Sequence, residues 1–408
     1  MATLAYAYKG RDSTGKIVKG RLDAASETAV ASRLRSMGLS PVSIDESKEG
    51  TGFSRDIAIP GLGKGVGLKD LAIMSRQMAT MIAAGLSLLR TLNILTEQTP
   101  SKPLAKILGE VSTDIESGIS LSDALNKHAK DFPPIMINLV RAGEIGGFLD
   151  DALETIAKNF ESEVKLRGTI KSALTYPVIV LIMAIVAVIA MLVFIVPVFQ
   201  KMFANLGGTL PLPTQILVWM SNAMPVVLPI LIVGGIAFSV WWRANKNAEK
   251  VRKFIDPLKL KLPVFGQLFT KLAVARFSRN FSSMVGAGVP ILQALQIVGE
   301  TSGNWVVENA LKNVAESVRQ GKSIAEPLVA EPVFPAMVTQ MIAVGEDAGA
   351  LEQMLGKIAD FYDQEVQSAT EQLTAMIEPL MVAFLGVVVG GMIVCLYLPI
   401  FNIFNLIK

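Results

Sequence analysis

One long internal repeat dominates this sequence, and each copy ends in a long apolar stretch. The first copy runs from about Leu71 to Phe199 and the second from about Val274 to Phe401. The copies align with one short gap, and the matches fall on residues that end helices or form turns. They include Ala84-Gly85 with Ala287-Gly288, Gly118-Ile119-Ser120 with Gly321-Lys322-Ser323, Phe132-Pro133 with Phe334-Pro335, Gly143-Glu144 with Gly345-Glu346, and Tyr176-Pro177 with Glu378-Pro379. The repeat therefore predicts two copies of one domain.

Three uncharged stretches predict three membrane spans. No charged residue occurs from Ser172 to Gln200, from Met202 to Trp242, or from Pro379 to Ile407. A spanning helix needs about 20 mainly apolar residues, so the first and third stretches each fit one span. The middle stretch is too long for one helix, and it begins with many turn-forming residues. We therefore assign spans at 172–200, 216–242 and 377–405, with a periplasmic loop at 201–215.

The basic residues predict the orientation of the spans. The intervening loop carries only one basic residue, Lys201. Eight others lie next to the opposite, polar ends of the first two spans: Lys165, Arg167, Lys171, Arg243, Lys246, Lys250, Arg252 and Lys253. The positive-inside rule places both long polar segments in the cytoplasm, together with the N-terminus. The tail after the third span then lies in the periplasm. Because both repeats end in an outward helix, the chain must cross back once between them, and the second span is that return.

The remaining sequence divides into a small module, a linker and two helical domains. Residues 1–46 predict an α+β module, with two strands around Asp12-Ser13-Thr14-Gly15, a helix capped by Ser26 and ended by Gly38, and a returning strand. Residues 47–67 form a glycine-rich linker. Segments 68–171 and 243–376 each predict a cytoplasmic bundle of about six helices. The fold class is therefore mainly α and integral to a membrane, with two homologous six-helix bundles and three transmembrane helices.

The composition argues against catalysis, cofactors and nucleic acid. The single histidine, His128, and the single cysteine, Cys395, do not form a metal site of the usual kind. Formal net charge is only +3, which gives no electrostatic footprint for nucleic acid. Gly321-Lys322-Ser323 lacks the first glycine of a phosphate-binding loop, because Glu316 stands there. The other copy has Ile119 in place of the lysine, so we interpret both segments as helix caps completed by Asp123 or Glu326.

The two Gly-Glu pairs are the first candidate functional residues. Gly143-Glu144 and Gly345-Glu346 both lie where a short helix gives way to the long one, just before a glycine-containing turn. One interpretation is structural, a favourable acidic charge at a helix N-terminus. The alternative is an exposed acidic contact for a partner subunit or a cation. We expect neither pair to be catalytic, because no nucleophile or acid–base partner accompanies it.

The second candidate is Glu378, beside Pro379 at the mouth of the third span. The first repeat has Tyr176 at the equivalent position. An ionisable residue at membrane depth is a functional candidate. At the headgroup level it would cost little and would serve only to anchor the helix. The sequence leaves these two interpretations open.

Several motifs together resemble a known family. They are densest from Val274 onward: Ala287-Gly288-Val289-Pro290, Phe334-Pro335, Gln340-Met341, Gly345-Glu346, Phe361-Tyr362, Glu365-Val366, Glu378-Pro379 and Tyr397-Leu398-Pro399-Ile400-Phe401. With these residues the chain closely resembles the inner-membrane platform proteins of type IV pilus assembly, which are homologous to the F protein of type II secretion. The N-terminal module, with Tyr8, Asp12, Gly15 and Gly20, also looks like that family.

The resemblance implies a non-enzymatic platform in the bacterial inner membrane that associates with copies of itself. It implies that the cytoplasmic domains dock into a hexameric assembly or retraction ATPase and that the membrane part receives pilins. Inner-membrane alignment proteins of the pilus are further expected partners. It implies no cofactor.

Two other functions remain open at the level of sequence. A platform of type II secretion has the same physical features, and the preference for pili depends on the resemblance. An oligomeric transporter is the rival from another class, because transporters are often built from repeats. Against it, three spans are too few to enclose a path in one protomer, and Glu378 is their only candidate charge.

Overall fold

The computed structural model describes residues 4–11, 17–24, 26–46, 65–205, 210–246, 248–263 and 265–403. It contains two compact units, Met1–Lys64 and Gly65–Lys408. The predicted turn at 12–15, most of the linker at 47–67, the centre of the loop at 201–215 and the last residues of the third span lie outside the described residues.

The first unit is the predicted α+β module. Strand β1 (Leu4–Arg11) pairs antiparallel with β2 (Ile17–Ala24) on one side and with β3 (Ser40–Glu46) on the other. Helix α1 (Glu27–Ser36) begins where the Ser26 hydroxyl accepts a hydrogen bond from the Ala29 N–H at 3.3 Å. It ends before Gly38, whose φ of 74° suits a glycine. Val30 and Leu34 of the helix are fully buried among the core residues of this unit.

The first repeat contains the six predicted helices. They are α2 (Leu68–Ala83), α3 (Leu88–Gln98), α4 (Lys102–Glu116), α5 (Leu121–Asn126), α6 (Pro134–Gly146) and α7 (Leu149–Ala190). Helix α7 continues through a π-helical segment (Met191–Ile195) into α8 (Val196–Asn205). The sequence explains where two of these helices begin, because Ser87 and Ser120 cap α3 and α5 through their hydroxyls.

The second repeat follows helix α9 (Leu212–Asn245), which contains the second predicted span. It comprises α10 (Glu249–Lys261), α11 (Phe265–Gly286), α12 (Ile291–Thr301), α13 (Trp305–Arg319), α14 (Ala325–Val329), α15 (Ala336–Asp347) and α16 (Leu351–Ile403). Helices α11 to α16 correspond in order to α2 to α7. Helix α10 is an addition to the predicted six, without a counterpart among the described helices of the first repeat.

The two repeats share one hydrophobic core. A single cluster of buried side chains runs from α2 through α7 and continues from α11 into α16. Its largest members include Phe132 in the first repeat and Phe277 and Phe281 in the second, all fully buried. The Phe277 ring centroid lies 4.8 Å from that of Phe334. Burial of each such side chain contributes about 1.5–3 kcal/mol, so the shared core holds the repeats together.

Three described helices are long and apolar enough to cross a membrane. They contain the predicted spans 172–200 and 216–242 and the described part of the third, 377–403. Where α7 passes into α8, Pro197 lacks the N–H that would continue regular α-helical bonding. The π-helical turn just before it accommodates the proline. The Leu192 carbonyl there accepts a hydrogen bond from the Ser221 hydroxyl of α9, and the Thr214 hydroxyl donates to the Cys395 carbonyl of α16. These bonds join the three spans near one end.

Candidate functional site

Glu144 holds the N-terminus of a neighbouring helix. It lies in the last turn of α6, half-buried, and its two carboxylate oxygens accept hydrogen bonds from the backbone N–H groups of Leu121 and Ser122 at 2.5 and 3.1 Å. These N–H groups belong to the first turn of α5, which has no partner for them within its own helix. A carboxylate is favoured there by hydrogen bonding and by the helix dipole. Glu144 therefore fastens α5 to the end of α6.

Gly143 brings the next helix close to α6. A Cβ atom at this position would lie 2.7 Å from the Ala152 Cβ and 3.0 Å from the Leu149 Cα of α7. The Gly143 carbonyl accepts a hydrogen bond from the Phe148 N–H at 3.0 Å, and Gly147 makes the turn with a φ of 76°. We call Gly143, Glu144 and Gly147 the first corner. Only glycine at 143 permits this approach of the two helices.

The second repeat builds the same corner from Gly345, Glu346 and Gly349, here called the second corner. The Glu346 carboxylate accepts hydrogen bonds from the N–H groups of Ile324 and Ala325, at 2.9 and 3.3 Å, at the start of α14. The Gly345 carbonyl accepts from the Ala350 N–H at 2.8 Å, and Gly349 has a φ of 63°. A Cβ at 345 would lie 3.0 Å from the Met354 Cβ and 3.1 Å from the Leu351 Cα.

The corners match the structural interpretation in part. Glu144 and Glu346 do place acidic charge at a helix N-terminus, but that helix precedes their own by about 20 residues instead of following it. The sequence suggested that Asp123 and Glu326 complete the caps at Ser120 and Ser323. The serine hydroxyls do accept from the N–H groups three residues on, at 3.2 and 3.1 Å. The corner glutamates instead bind the two N–H groups after each serine, those of Leu121 and Ser122 in one copy and of Ile324 and Ala325 in the other. A role of the corners in partner contact stays a prediction.

An arginine in each repeat ties its first helix to its long last helix. Arg76 of α2 donates to Glu154 and Glu161 of α7, at 2.5 and 2.7 Å. Hydrogen bonds from Arg76 lower the pKa of both carboxyls, and they raise the pKa of Arg76. The repeat equivalents of Arg76 and Glu161 are Arg279 and Asp363, and these also pair. Sequence reasoning missed this pair, although aligning the copies places opposite charges at both matched positions.

A polar contact joins the two repeats. Glu163 of α7 accepts two hydrogen bonds from Arg276 of α11, at 3.0 and 2.5 Å, and a third from Arg167 at 2.6 Å. The Glu163 side chain is only 14% exposed, so its charge depends on these partners. One turn earlier, the buried Asn159 amide donates to the Asn280 carbonyl oxygen at 3.1 Å. These contacts fix the register of α7 against α11.

Glu378 and Pro379 are exposed on α16, at the start of the third predicted span. Tyr176, the equivalent residue in the first repeat, is also exposed, whereas the following Pro177 is buried. The hydrogen bonds and ion pairs found among the described residues give Glu378 no partner within the chain. The structure therefore leaves both interpretations of Glu378 open. Glu378 is not part of either corner.

The described residues show no group of three or more histidine, cysteine, aspartate or glutamate side chains suited to hold a metal ion. The corner carboxylates are each occupied by backbone N–H groups. The arrangement is suited to fixing helices to one another.

Comparison with known protein families identifies the family of this chain. The pattern described as "Type II secretion system (T2SS), protein F" matches residues 74–197 and again 277–399, and the N-terminal domain pattern of the same protein matches residues 1–45. The chain belongs to the type II secretion system protein F family. The two matches fall on the two repeats and extend into the first and third spans. All six candidate residues, Gly143, Glu144, Gly345, Glu346, Glu378 and Pro379, lie inside the matched regions.

Within the F family, the chain is similar to type IV pilus assembly proteins along almost its whole length. It is 45% identical over 400 residues to the type IV pilus assembly protein PilC of Thermus thermophilus, covering 98% of both chains. It is 42% identical over 407 residues to PilC of Myxococcus xanthus, covering 100% of this chain and 97% of that one. Identity to the type II secretion system protein F of Vibrio cholerae is 30% over 406 residues, covering 99% of each.

Proposed function

We propose that this protein is the non-enzymatic inner-membrane platform of a type IV pilus machine. Its cytoplasmic repeats receive motion from a hexameric assembly or retraction ATPase. Its membrane helices pass that motion to pilins entering or leaving the base of the pilus. The higher identity to pilus assembly proteins than to a secretion protein supports the choice of pilus.

The observation that carries this proposal is the continuity of two helices. Helices α7 and α16 each begin in a cytoplasmic bundle and run without a break into an apolar span, over 42 and 53 residues. A helix of this kind is about 1.5 Å long per residue, so each connects points some tens of ångströms apart. Displacement or torque applied to a bundle is therefore transmitted toward the membrane along a single helix, in which Pro177 or Pro379 removes one backbone hydrogen bond.

The corners and the arginine pairs support the same role. Each corner fastens two short helices to the start of a long one. Arg76 and Arg279 fasten the first helix of each repeat to the first third of the long helix. A bundle tied to its long helix at two levels moves with it instead of deforming. The partners in this scheme are the ATPase on the cytoplasmic side, pilins and the pilus alignment proteins at the membrane, and further copies of this chain.

The proposed orientation has the N-terminus and both repeats in the cytoplasm and the C-terminus in the periplasm. It is supported by the basic residues around the cytoplasmic ends of α7 and α9. A cysteine placed in the loop at 201–215 of a Cys395→Ala background should react in intact spheroplasts with a maleimide that cannot cross membranes. A cysteine at Lys102, an exposed position of the first repeat, should react only after lysis. The opposite pattern would refute the orientation.

Deletion of the gene in its native host tests the function. We expect loss of surface pili while exoprotein secretion continues, and recovery of pili on complementation. A photo-crosslinking amino acid at the exposed positions Val329 and Val344 should capture the ATPase subunit. Normal piliation after deletion would overturn the proposal. Loss of secretion with normal piliation would favour the alternative, a platform of type II secretion, which the likeness to the Vibrio cholerae protein supports.

A crosslink between the repeats tests whether the platform must move internally. The Gln293 side chain of α12 donates to the Asn138 side chain of α6 at 3.3 Å, on the surface between repeats. Cysteines at both positions can be joined by a short bismaleimide. If the repeats shift against one another during the cycle, crosslinked cells should stop assembling pili, whereas either single-cysteine variant should not. Unchanged assembly with complete crosslinking would mean that the two repeats move as one body.

A further inference from the structure

Helix α10 presents large apolar side chains to solvent. Phe254 is 75% exposed, Leu258 is 53% exposed, and Leu262 at the end of the helix is 42% exposed. Residues four apart lie on the same helix face, so the three form one stripe. An exposed stripe of this kind on an otherwise polar helix indicates a surface that is covered in the working protein.

The opposite face of α10 is fastened to the second repeat. Asp256 is buried, and its carboxylate accepts hydrogen bonds from the Trp305 N–H at the start of α13 and from Lys259, both at 2.9 Å. Lys253 lies 5.6 Å from the centre of the Trp305 ring. A residue two positions away on a helix points roughly 200° around the axis, so Phe254 and Leu258 both face away from this anchor. The apolar stripe is therefore held outward.

The charges around the stripe are almost all positive. From residue 243 to 261 the sequence has seven basic residues and two acidic ones. One of the acidic residues, Asp256, is buried in the anchor. Lys250 and Lys261 are exposed and lie on the same side of the helix as Phe254 and Leu258. An apolar stripe flanked by lysines is complementary to an anionic lipid surface.

The chain keeps α10 next to the membrane. Helix α9, the returning span, ends at Asn245, and Glu249 starts α10. Four residues reach at most about 14 Å. Trp241 and Trp242 lie in the last turns of α9, where aromatic residues occupy the membrane interface. Trp242 also lines a cleft of about 470 Å³ together with Val251 and Lys259 of α10, so the end of the span lies beside the helix.

We infer that α10 lies on the membrane surface and binds anionic phospholipid headgroups through its lysines, with Phe254, Leu258 and Leu262 among the upper acyl chains. The contact fixes the second repeat against the bilayer beside the returning span. The contact requires no pilus component, so this inference can be tested independently of the proposed function.

The test uses the full chain in vesicles. In a Cys395→Ala background, a nitroxide label is attached to a single cysteine at position 254 or 258. The protein is reconstituted in phosphatidylcholine alone or with one quarter phosphatidylglycerol. We expect the label to be reached by oxygen and shielded from a water-soluble nickel complex in the anionic vesicles. Both leaflets carry the same lipid, so the orientation of the protein does not affect the result.

Two controls complete the design. The first is a label at Ile145, which is 83% exposed and lies in the last turn of α6, just before α7 begins. The first residue of α7, Leu149, is about 35 Å along that helix from Ser172. The label at Ile145 should stay open to the nickel complex in every sample. The second compares Lys250→Gln/Lys261→Gln with Lys102→Gln/Lys130→Gln, which removes the same charge from exposed sites of the first repeat. Only the first pair should lower the ratio of membrane-docked to water-exposed α10 in the anionic vesicles, by about thirtyfold for two lysines.

Three outcomes would overturn the inference. Equal access of the nickel complex to positions 254 and 145 in both vesicles would mean that α10 stays in water. Shielding that does not depend on phosphatidylglycerol or on the two lysines would mean that headgroup charge has no part. Shielding that persists in detergent without lipid would mean that another part of this chain, or a second copy, covers the stripe.

Discussion

Glu163 and Arg276 connect the two repeats through a two-point ion pair. The Arg276 guanidinium donates to both Glu163 oxygens, at 3.0 and 2.5 Å, although the residues belong to different copies of the repeat. The repeat equivalent of Glu163 is Glu365, which pairs inside its own repeat with Lys271 at 2.8 Å. The same carboxylate position thus joins the copies in one case and closes a copy on itself in the other. This asymmetry adds a polar contact between the two repeats to their shared hydrophobic core.

Arg276→Ala should loosen the contact between repeats. It leaves a largely buried carboxylate with one remaining cation, so we expect the free energy of unfolding to fall by about 1–3 kcal/mol. Urea titration in detergent, followed by circular dichroism, measures the change. Arg167→Ala is the matched control, because Arg167 binds the same carboxylate but is 59% exposed, and it should cost under about 0.5 kcal/mol. Equal losses for the two variants would contradict this assignment.

Glu144→Ala and Glu346→Ala should each weaken a corner. Both changes remove the carboxylate that satisfies the first N–H groups of a short helix, and the loss of a helix cap costs about 0.5–2 kcal/mol. Asp347→Asn changes the exposed neighbour of Glu346 and should stay within about 0.5 kcal/mol of the wild type. Hydrogen exchange of the Leu121 and Ile324 amides gives a local readout. If these amides keep their protection in the alanine variants, the corner glutamates do not hold α5 and α14.

Gly143→Ala should destabilise the fold although alanine is the better helix former. The new methyl would lie 2.7 Å from the Ala152 Cβ, so α6 and α7 must separate, at a cost of about 1–3 kcal/mol. Gly168→Ala on α7 provides the contrast, because nothing lies within 4 Å of its added Cβ. That variant should gain about 0.5–1 kcal/mol from helix propensity. Thermal unfolding of both variants should therefore shift in opposite directions, and a stabilised Gly143→Ala would refute the close approach.

The ion pairs of Arg76 with Glu154 and Glu161 should stabilise the fold at neutral pH and lose this effect in acid. The pKa of Glu154 and Glu161 is lowered from 4.5 in the folded chain. A carboxyl with a lowered folded pKa adds stability above its unfolded value, and this is lost as pH falls through the folded value. The stability difference between wild type and Glu154→Gln/Glu161→Gln should therefore stay constant from about pH 7 to about pH 5 and shrink below about pH 4.5.

The size of this pH effect is limited by solvent. The Glu154 and Glu161 side chains are 40% and 45% exposed, so screening keeps the difference near or below about 1 kcal/mol. The exposed Glu116→Gln serves as control, and its difference from wild type should not follow this curve. A stability difference that grows as the pH falls below 4.5 would show that the sign is wrong.

Glu378→Ala should reduce piliation without unfolding the protein. The side chain is exposed, so its removal should change the free energy of unfolding by less than about 0.5 kcal/mol. If Glu378 contacts a partner within the membrane, the substitution removes the charged group that the partner binds. Counts of surface pili, with protein levels checked by immunoblot, measure the effect. Glu371→Gln, two turns earlier and also exposed, is the control. Normal pili in Glu378→Ala would leave the residue only an anchoring role.

Local chemistry and periodicity made much of the fold predictable. The repeat, the three spans and the α+β module all follow from short patterns, such as the uncharged stretches and the turn before Ile17. Ser120 and Ser323 cap their helices as expected because a cap depends on residues three positions apart. Comparing the copies also rejected Gly321-Lys322-Ser323 as a phosphate site, since both copies use it to end one helix and begin another.

The tertiary structure decided the contacts between distant parts of the chain. Nothing near Glu144 in sequence indicates that it caps a helix that begins 23 residues earlier, and nothing near Glu163 indicates Arg276, 113 residues later. These partners meet because the helices pack their apolar faces into one core, and packing brings specific polar groups together at its edge. The sequence by itself therefore determined most of the elements and which three helices are apolar enough to cross a membrane. The tertiary structure alone decided which charges hold those elements together, because an ion pair or a cap forms only where packing has already placed its partners.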